Sequence, residues 1–317
     1  MTNPSAAPST TDHVLVIGVD GTVARATLDA LISRGTRVRA LVRRSRTEPD
    51  LSLPLVEWVV ADIREPGTLR DALAGIGTVL YVSPHAEEEV ALAEHVVAEC
   101  RRAGARLVFV GVHVSGVTLR GRMTRLLFRL LLPAYGPKLT IGATVESTSP
   151  DVVMLVPSNF YDNDLTFLPD ILAGSFPTPL RGVNRVAATD IGEVAAIALT
   201  DPSFPAGSHG ISGPATLSGA ESAAVWAEVL GRSVRYTGDD TGTWEAALIR
   251  RLPAGKKRND WRNSFRALAW MRMGTSAREV EETAQLLGRP PTTYREWVRG
   301  HVDALGVDQQ APSQARA

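Results

Sequence analysis

Residues 13–25 read His13-Val-Leu-Val-Ile17, then Gly18-Val-Asp-Gly-Thr-Val-Ala-Arg25. The first five form a continuous apolar run, the pattern of a strand buried on both faces. A helical pattern follows over Thr22–Arg34, closed by Gly35 as a C-cap. Between them, glycines three residues apart permit a tight turn. The backbone N–H groups that open the helix can then meet an anion such as a dinucleotide pyrophosphate. Two letters strain that reading. Ala24 stands where a third glycine is usual, although it adds only a methyl. Asp20 sets a carboxylate beside the expected phosphates, a repulsion of about 1 kcal/mol in water and more when desolvated. Either Arg25 offsets that charge or Asp20 faces solvent.

The chain continues in the same alternation. Strand patterns at Arg37–Val42, Leu55–Ala61, Thr78–Val82, Leu107–Val112 and Val152–Val156 are separated by helical ones at Thr68–Leu73 and Glu87–Ala103, with Gly104 as a stop. Strands separated by helices predict an α/β fold, a doubly wound parallel sheet of the Rossmann type with helices on both faces. Beyond Gly111 the regularity changes. Arg120–Leu132 reads as a helix with four arginines among leucines, and Tyr135-Gly-Pro-Lys138 opens another, with Pro137 in its first turn. The second half offers a strand at Arg185–Ala188 and a helix at Asp190–Leu199, then a Gly/Pro-rich turn region. A helix at Ser218–Leu230 and a strand at Val234–Tyr236 follow, with helices near Trp244–Arg251, Ala277–Leu287 and Thr293–Leu305. The expected organisation is a disordered lead (1–12), a nucleotide-binding domain (13–156) with a returning strand near 185–212, a smaller substrate-side lobe (157–305) and a disordered tail (306–317).

Composition excludes several classes. Basic and acidic residues balance at 34 each among 317 residues, so no global field favours nucleic acid or an anionic membrane. No apolar run approaches the roughly 20 residues that span a bilayer, and the first twelve residues lack the basic and apolar regions of a signal peptide. A single cysteine, Cys100, rules out an intramolecular disulfide and suits a reducing cytoplasm. His85, His95, His209 and His301 are too scattered for metal-ligand spacing, so no metal is expected. Residues Arg250–Arg272 carry eight basic side chains and one acid, Asp260, interleaved with Trp261, Phe265 and Trp270. We read this segment as a solvated face or lid, with a substrate contact second and nucleic acid a distant third.

The second strand ends Leu41-Val-Arg-Arg44, with no acid before Glu48. Sites selecting NAD place an acid there for the ribose hydroxyls. Guanidinium groups at Arg43 and Arg44 instead suit a 2′-phosphate, which predicts NADP(H), the alternative being a solvated basic turn. Asp62, closing the third strand, either accepts from the adenine amino group or caps the turn that follows, and the two roles are compatible.

The runs Val14-Leu-Val-Ile-Gly-x-x-Gly-Thr-Val23, Arg37-Val-Arg-Ala-Leu-Val-Arg43 and Ala61-Asp-Ile-Arg-Glu-Pro-Gly-Thr-Leu69 resemble the NmrA-like group of atypical short-chain dehydrogenases. So do Pro157-Ser-Asn-Phe-Tyr-Asp-Asn163, Gly213-Pro-Ala-Thr-Leu-Ser218, Val229-Leu-Gly-Arg-Ser-Val234 and Pro291-Thr-Thr-Tyr-Arg-Glu-Trp297. The likeness runs over roughly residues 13–305. It implies NAD(P)(H) binding, usually NADP(H), with contacts at Gly18, Gly21, Thr22, Val23, Arg43, Arg44, Asp62, Ile63, Ser83, Lys138, Asn159 and Phe160. The group includes reductases of small organic molecules and redox-sensing regulators without turnover.

Short-chain dehydrogenases use a tyrosine as acid or base, a lysine four residues later, and a serine after the fifth strand. Here Gly111 and Val112 stand in the serine's place and Ser115 comes late. Lys138 fits the lysine, yet Ala134 precedes it by four and Tyr135 by three. Lys138 is the only lysine outside the pair Lys256-Lys257, in a chain with 31 arginines. The reading therefore forks. One branch is an NADP(H)-dependent reductase of a small aromatic or conjugated substrate, of the kind found in secondary metabolism, with Lys138, Tyr135 or His113 in catalytic roles. The other is a nucleotide-binding sensor, or a non-redox enzyme on the same scaffold. A homodimer is left open.

Overall fold

The computed structural model describes residues 14–43, 53–114, 118–131, 135–147 and 151–306. The expected lead and tail, Arg44, Glu48 and Ser115 lie outside these residues. Seven parallel strands make the central sheet: β1 (Val14–Ile17), β2 (Val38–Val42), β3 (Val56–Val60), β4 (Thr78–Val82), β5 (Arg106–Val110), β6 (Val153–Pro157) and β10 (Gly207–Ile211), in the order β10-β6-β5-β4-β1-β2-β3. Alternation along β1 divides the core. Val14 and Val16 pack with α1 (Thr22–Ser33) and α7 (Ala188–Thr200) on one face. Leu15 and Ile17 pack on the other with α2 (Pro66–Ala72), α3 (Glu89–Ala103) and α5 (Gly136–Glu146). With both faces covered, the strand is apolar throughout rather than at alternate positions. Ala24 is fully buried in the first of these layers, so its methyl is accommodated.

The strand order reverses between β1 and β4, and a crevice opens at their carboxyl ends, where ligands bind in open α/β sheets.

The chain does not pass cleanly from one lobe to the next. Residues beyond 157 return α7 to pack on α1 and β10 to extend the sheet. The strand expected at Arg185–Ala188 is β9 (Val183–Val186), which leaves the main sheet and pairs with β7 (Asn159–Phe160) and β11 (Thr216–Leu217). A 3-10 helix at Tyr161–Phe167, α6 (Leu168–Leu172), β8 (Ser175–Phe176), α8 (Gly219–Leu230), β12 (Arg235–Tyr236), α9 (Thr241–Arg251), α10 (Lys256–Trp270), α11 (Ala277–Leu287) and α12 (Tyr294–Ala304) complete the second lobe. Ser218, Ser276 and Thr293 each begin a helix with a reciprocal capping box, which settles those three boundaries. The core of this lobe is aromatic, built on Tyr161, Phe167, Trp226, Trp244, Phe265 and Trp297. α4 (Leu119–Leu131) lies outside both cores, with Met123, Leu126, Leu127 and Leu130 exposed. Among the described residues no helix is long and apolar enough to cross a membrane.

Candidate active site

The turn after β1 takes the form its glycines demand. Gly18 has φ +81°, a conformation L side chains rarely adopt, and the Gly21 amide donates to the Gly18 carbonyl at 2.8 Å. Gly21 is the N-cap of α1, no side chain caps that end, and the first helical turn holds no acid. The uncapped N–H groups therefore open onto a cleft of about 810 Å³. Gly18, Asp20, Gly21, Thr22 and Val23 form one wall, with Leu41 and Arg43 beyond β2 and Ile63 and Arg64 beyond β3. Val82, Ser83, Pro84 and His85 after β4 form the next wall, and Phe160 and Asn163 follow. Gly255, Lys256, Lys257 and Trp261, at the start of α10, bound the cleft from the second lobe.

The expected cofactor residues Gly18, Gly21, Thr22, Val23, Arg43, Ile63, Ser83 and Phe160 thus share one cavity. Arg44 lies outside the described residues, and Asp62, Asn159 and Lys138 lie beside the cavity. Asp62 caps its turn, accepting from the Arg64 amide at 2.9 Å. Asn159 accepts from Asn163, a residue of the cleft, at 3.2 Å. Arg25 pairs with Asp29, one turn along α1, at 3.1 Å.

The three expected catalytic side chains do not converge. The Tyr135 hydroxyl hydrogen-bonds Ser264 of α10 at 2.8 Å, and burial raises its pKa. His113 is buried beside α5, with Nε2 3.3 Å from Glu146 Oε1. Burial holds its imidazole below the ordinary value, against the opposing pull of Glu146. Neither residue lines the cleft. A serine at position 111 would require the buried Phe109 ring to move, because a Cβ there would fall 2.5 Å from it. Lys138 Nζ donates to the Pro84 carbonyl at 3.2 Å and Ser83 Oγ at 3.4 Å, both on the cleft wall, and lies 2.6 Å from Glu89 Oε2.

Sequence reasoning passed over a charged network at this wall. Glu89, in the first turn of α3, is 1% exposed, and Lys256 Nζ is 3.4 Å from its second oxygen. Lys256 also donates to Asp260 at 2.6 Å, and Asp260 meets His85 Nδ1 at 2.7 Å. Burial pushes the Asp260 carboxyl upward, yet its bonds from Lys256 and His85 hold it below the usual carboxylate range. The signal was present in composition. All three lysines of an arginine-rich chain gather here, with the one acid of the basic segment.

The family profile described as the NmrA-like family matches residues 10–250. This chain belongs to the NmrA-like family. Across 93% of its length it is 27% identical to the NAD(P)H azoreductase of Xenophilus azovorans, covering 99% of that protein. Its fold superposes on the triphenylmethane reductase of Citrobacter sp. with a TM-score of 0.75 at 18% identity, covering 92% of this chain and 99% of that one. The structure of NmrA, a negative transcriptional regulator, in complex with NADP gives 0.70 at 15% identity, over 95% of this chain and 99% of that one.

Proposed function

We propose that this NmrA-like protein is an NADP(H)-dependent reductase of a small aromatic or conjugated molecule. One observation carries the reading: an uncapped helix N-terminus after a glycine turn opens into a cleft at the sheet's switch point, with Arg43 at its rim. The fit to a dinucleotide is specific at two places. Gly18 and Gly21 leave the backbone bare where a pyrophosphate needs close approach, with Thr22 and Val23 opening the helix. Arg43 brings a guanidinium to the end of β2, the position that meets a 2′-phosphate, and the described stretch of that segment offers no acid for ribose hydroxyls.

A bound nicotinamide nucleotide supplies two electrons as a hydride. The chain's own part is to position and to manage charge. Lys138 is tied to Pro84 and Ser83, which line the cleft, and to Glu89, so its ammonium braces that wall from behind. Trp261 and Phe160 give the cleft aromatic surface for a planar acceptor. One relative is named an azoreductase and one fold neighbour a reductase of triphenylmethane dyes, names that support an aromatic or conjugated acceptor here. The single thiol, Cys100, is buried and pushed up to about 12, in keeping with a structural role in a reducing cytoplasm. The test is NADPH consumption with a panel of quinones, enones and azo compounds. Turnover supports the reductase; nucleotide binding without turnover of any acceptor would favour a sensor.

A further inference from the structure

Reduction of a conjugated bond requires a proton as well as the hydride, carrying both electrons, that the nucleotide gives. The side chains that sequence points to for this task, Tyr135 and His113, are held by Ser264 and Glu146 and do not line the cleft. Among the cleft's described lining residues, His85 is the one whose ordinary pKa lies near neutrality. It stands on the loop between β4 and α3. Its Nδ1 is 2.7 Å from Asp260 Oδ2, and Asp260 is fixed from its other oxygen by Lys256. A carboxylate on one ring nitrogen sets the orientation of the imidazole and leaves Nε2 as the nitrogen that exchanges a proton. His85 comes from the sheet and Asp260 from α10, so the pair assembles only with the second lobe in place. The ring is two-fifths exposed, which gives solvent a route to reprotonate it.

We propose that His85, oriented by Asp260, is the proton donor of this cleft. The inference rests on the reductase reading. In the step, a reduced nicotinamide is the co-reactant: its hydride forms a bond to one atom of the acceptor double bond. The π pair moves to the other atom, which takes the Nε2 proton of the imidazolium. The imidazole is left neutral with Nδ1–H on Asp260, the nicotinamide is oxidised, and a solvent proton restores the donor. Asp260 is a positioning residue in this scheme. The charged groups facing His85 are Asp260 and Lys256 on α10, Glu89 on α3 and Lys138 on α5. Burial lowers the imidazole's pKa more than Asp260 raises it, and Lys138 lowers it further. Activity therefore falls as pH rises through a value below 6.5.

The experiment compares wild type, His85→Gln and Asp260→Asn for NADPH binding by fluorescence, for NADPH oxidation with a quinone and an azo acceptor, and for imidazole titration by NMR. We expect NADPH affinity to stay within about twofold in His85→Gln, while kcat falls about 100-fold or more and the decline of activity with rising pH disappears. In the nucleotide-free protein, Asp260→Asn shifts the His85 resonance to titrate at lower pH. A His85→Gln enzyme with wild-type kcat and pH profile overturns the donor role and leaves the reductase reading standing. An unmoved His85 titration in Asp260→Asn overturns the dyad. Wild-type protein that binds NADPH yet reduces no acceptor overturns the reductase reading, and this proposal with it.

Discussion

Lys138 Nζ lies 2.6 Å from Glu89 Oε2, and that carboxylate, almost completely buried, is shared with Lys256. Lys256 is shared in turn with Asp260, so two cations and two carboxylates balance in a network held behind Ser83 and Pro84. Glu89 thus tethers both the lysine of α5 and helix α10 to the start of α3.

Removing its charge with a near-isosteric side chain, as in Glu89→Gln, makes the potential of the cleft more positive. NADPH binding is expected to tighten by about two- to fivefold at low salt, with the gain fading as salt screens it. Isothermal titration at two ionic strengths checks this; unchanged or weaker binding at low salt would count against a nucleotide seated along this wall.

In the second lobe, Arg185 Nη1 donates to both oxygens of Asp164, at 2.9 and 2.8 Å, in a buried ion pair whose members are 1% and 0% exposed. Tyr294 donates to the same carboxylate, Trp226 donates to Tyr294, and Arg185 donates to Ser222. Asp164→Ala leaves a guanidinium buried without its counterion, an expected cost of about 3–5 kcal/mol. Chemical denaturation measures it, and a loss under about 1 kcal/mol would show that the lobe does not depend on this pair.

The fold was legible in the sequence because its signals are local. The apolar run Val14–Ile17, the glycine turn and the capping boxes at Ser218, Ser276 and Thr293 are each contained in a few residues. α10 escaped because only Phe265, Ala267 and Leu268 are buried along its 15 residues, too narrow a stripe to stand out among its charges. The glycine-turn side of the cleft was legible for the same reason as the turn. The His85–Asp260 pair was not, since 175 residues separate its members and only the packing of α10 over the cleft joins them. His113 and Tyr135 drew attention by position in the chain. Their partners, Glu146 and Ser264, could be known only from the packing of α5 and α10.

His113 makes a prediction about pH. Its folded pKa is depressed by burial below the ordinary 6.5, so between those two values the unfolded chain holds more protons than the folded one. Stability therefore falls as pH drops through that window and is recovered above it. Urea midpoints at about pH 7.5 and about pH 5.5 are expected to differ in that sense, and His113→Gln should narrow the gap. An unchanged gap in the variant would remove His113 as its source.

On the proposed function, the cleft holds NADP(H) through the glycine turn and Arg43. Trp261 lines that cleft, so fluorescence titration with NADPH and with NADH reads the claim directly. We expect NADPH to bind more tightly than NADH by about 10- to 100-fold, the range of a charge-assisted phosphate contact, and Arg43→Ala to erase most of that difference. Absence of binding by either nucleotide, or an equal loss for both in Arg43→Ala, would contradict it.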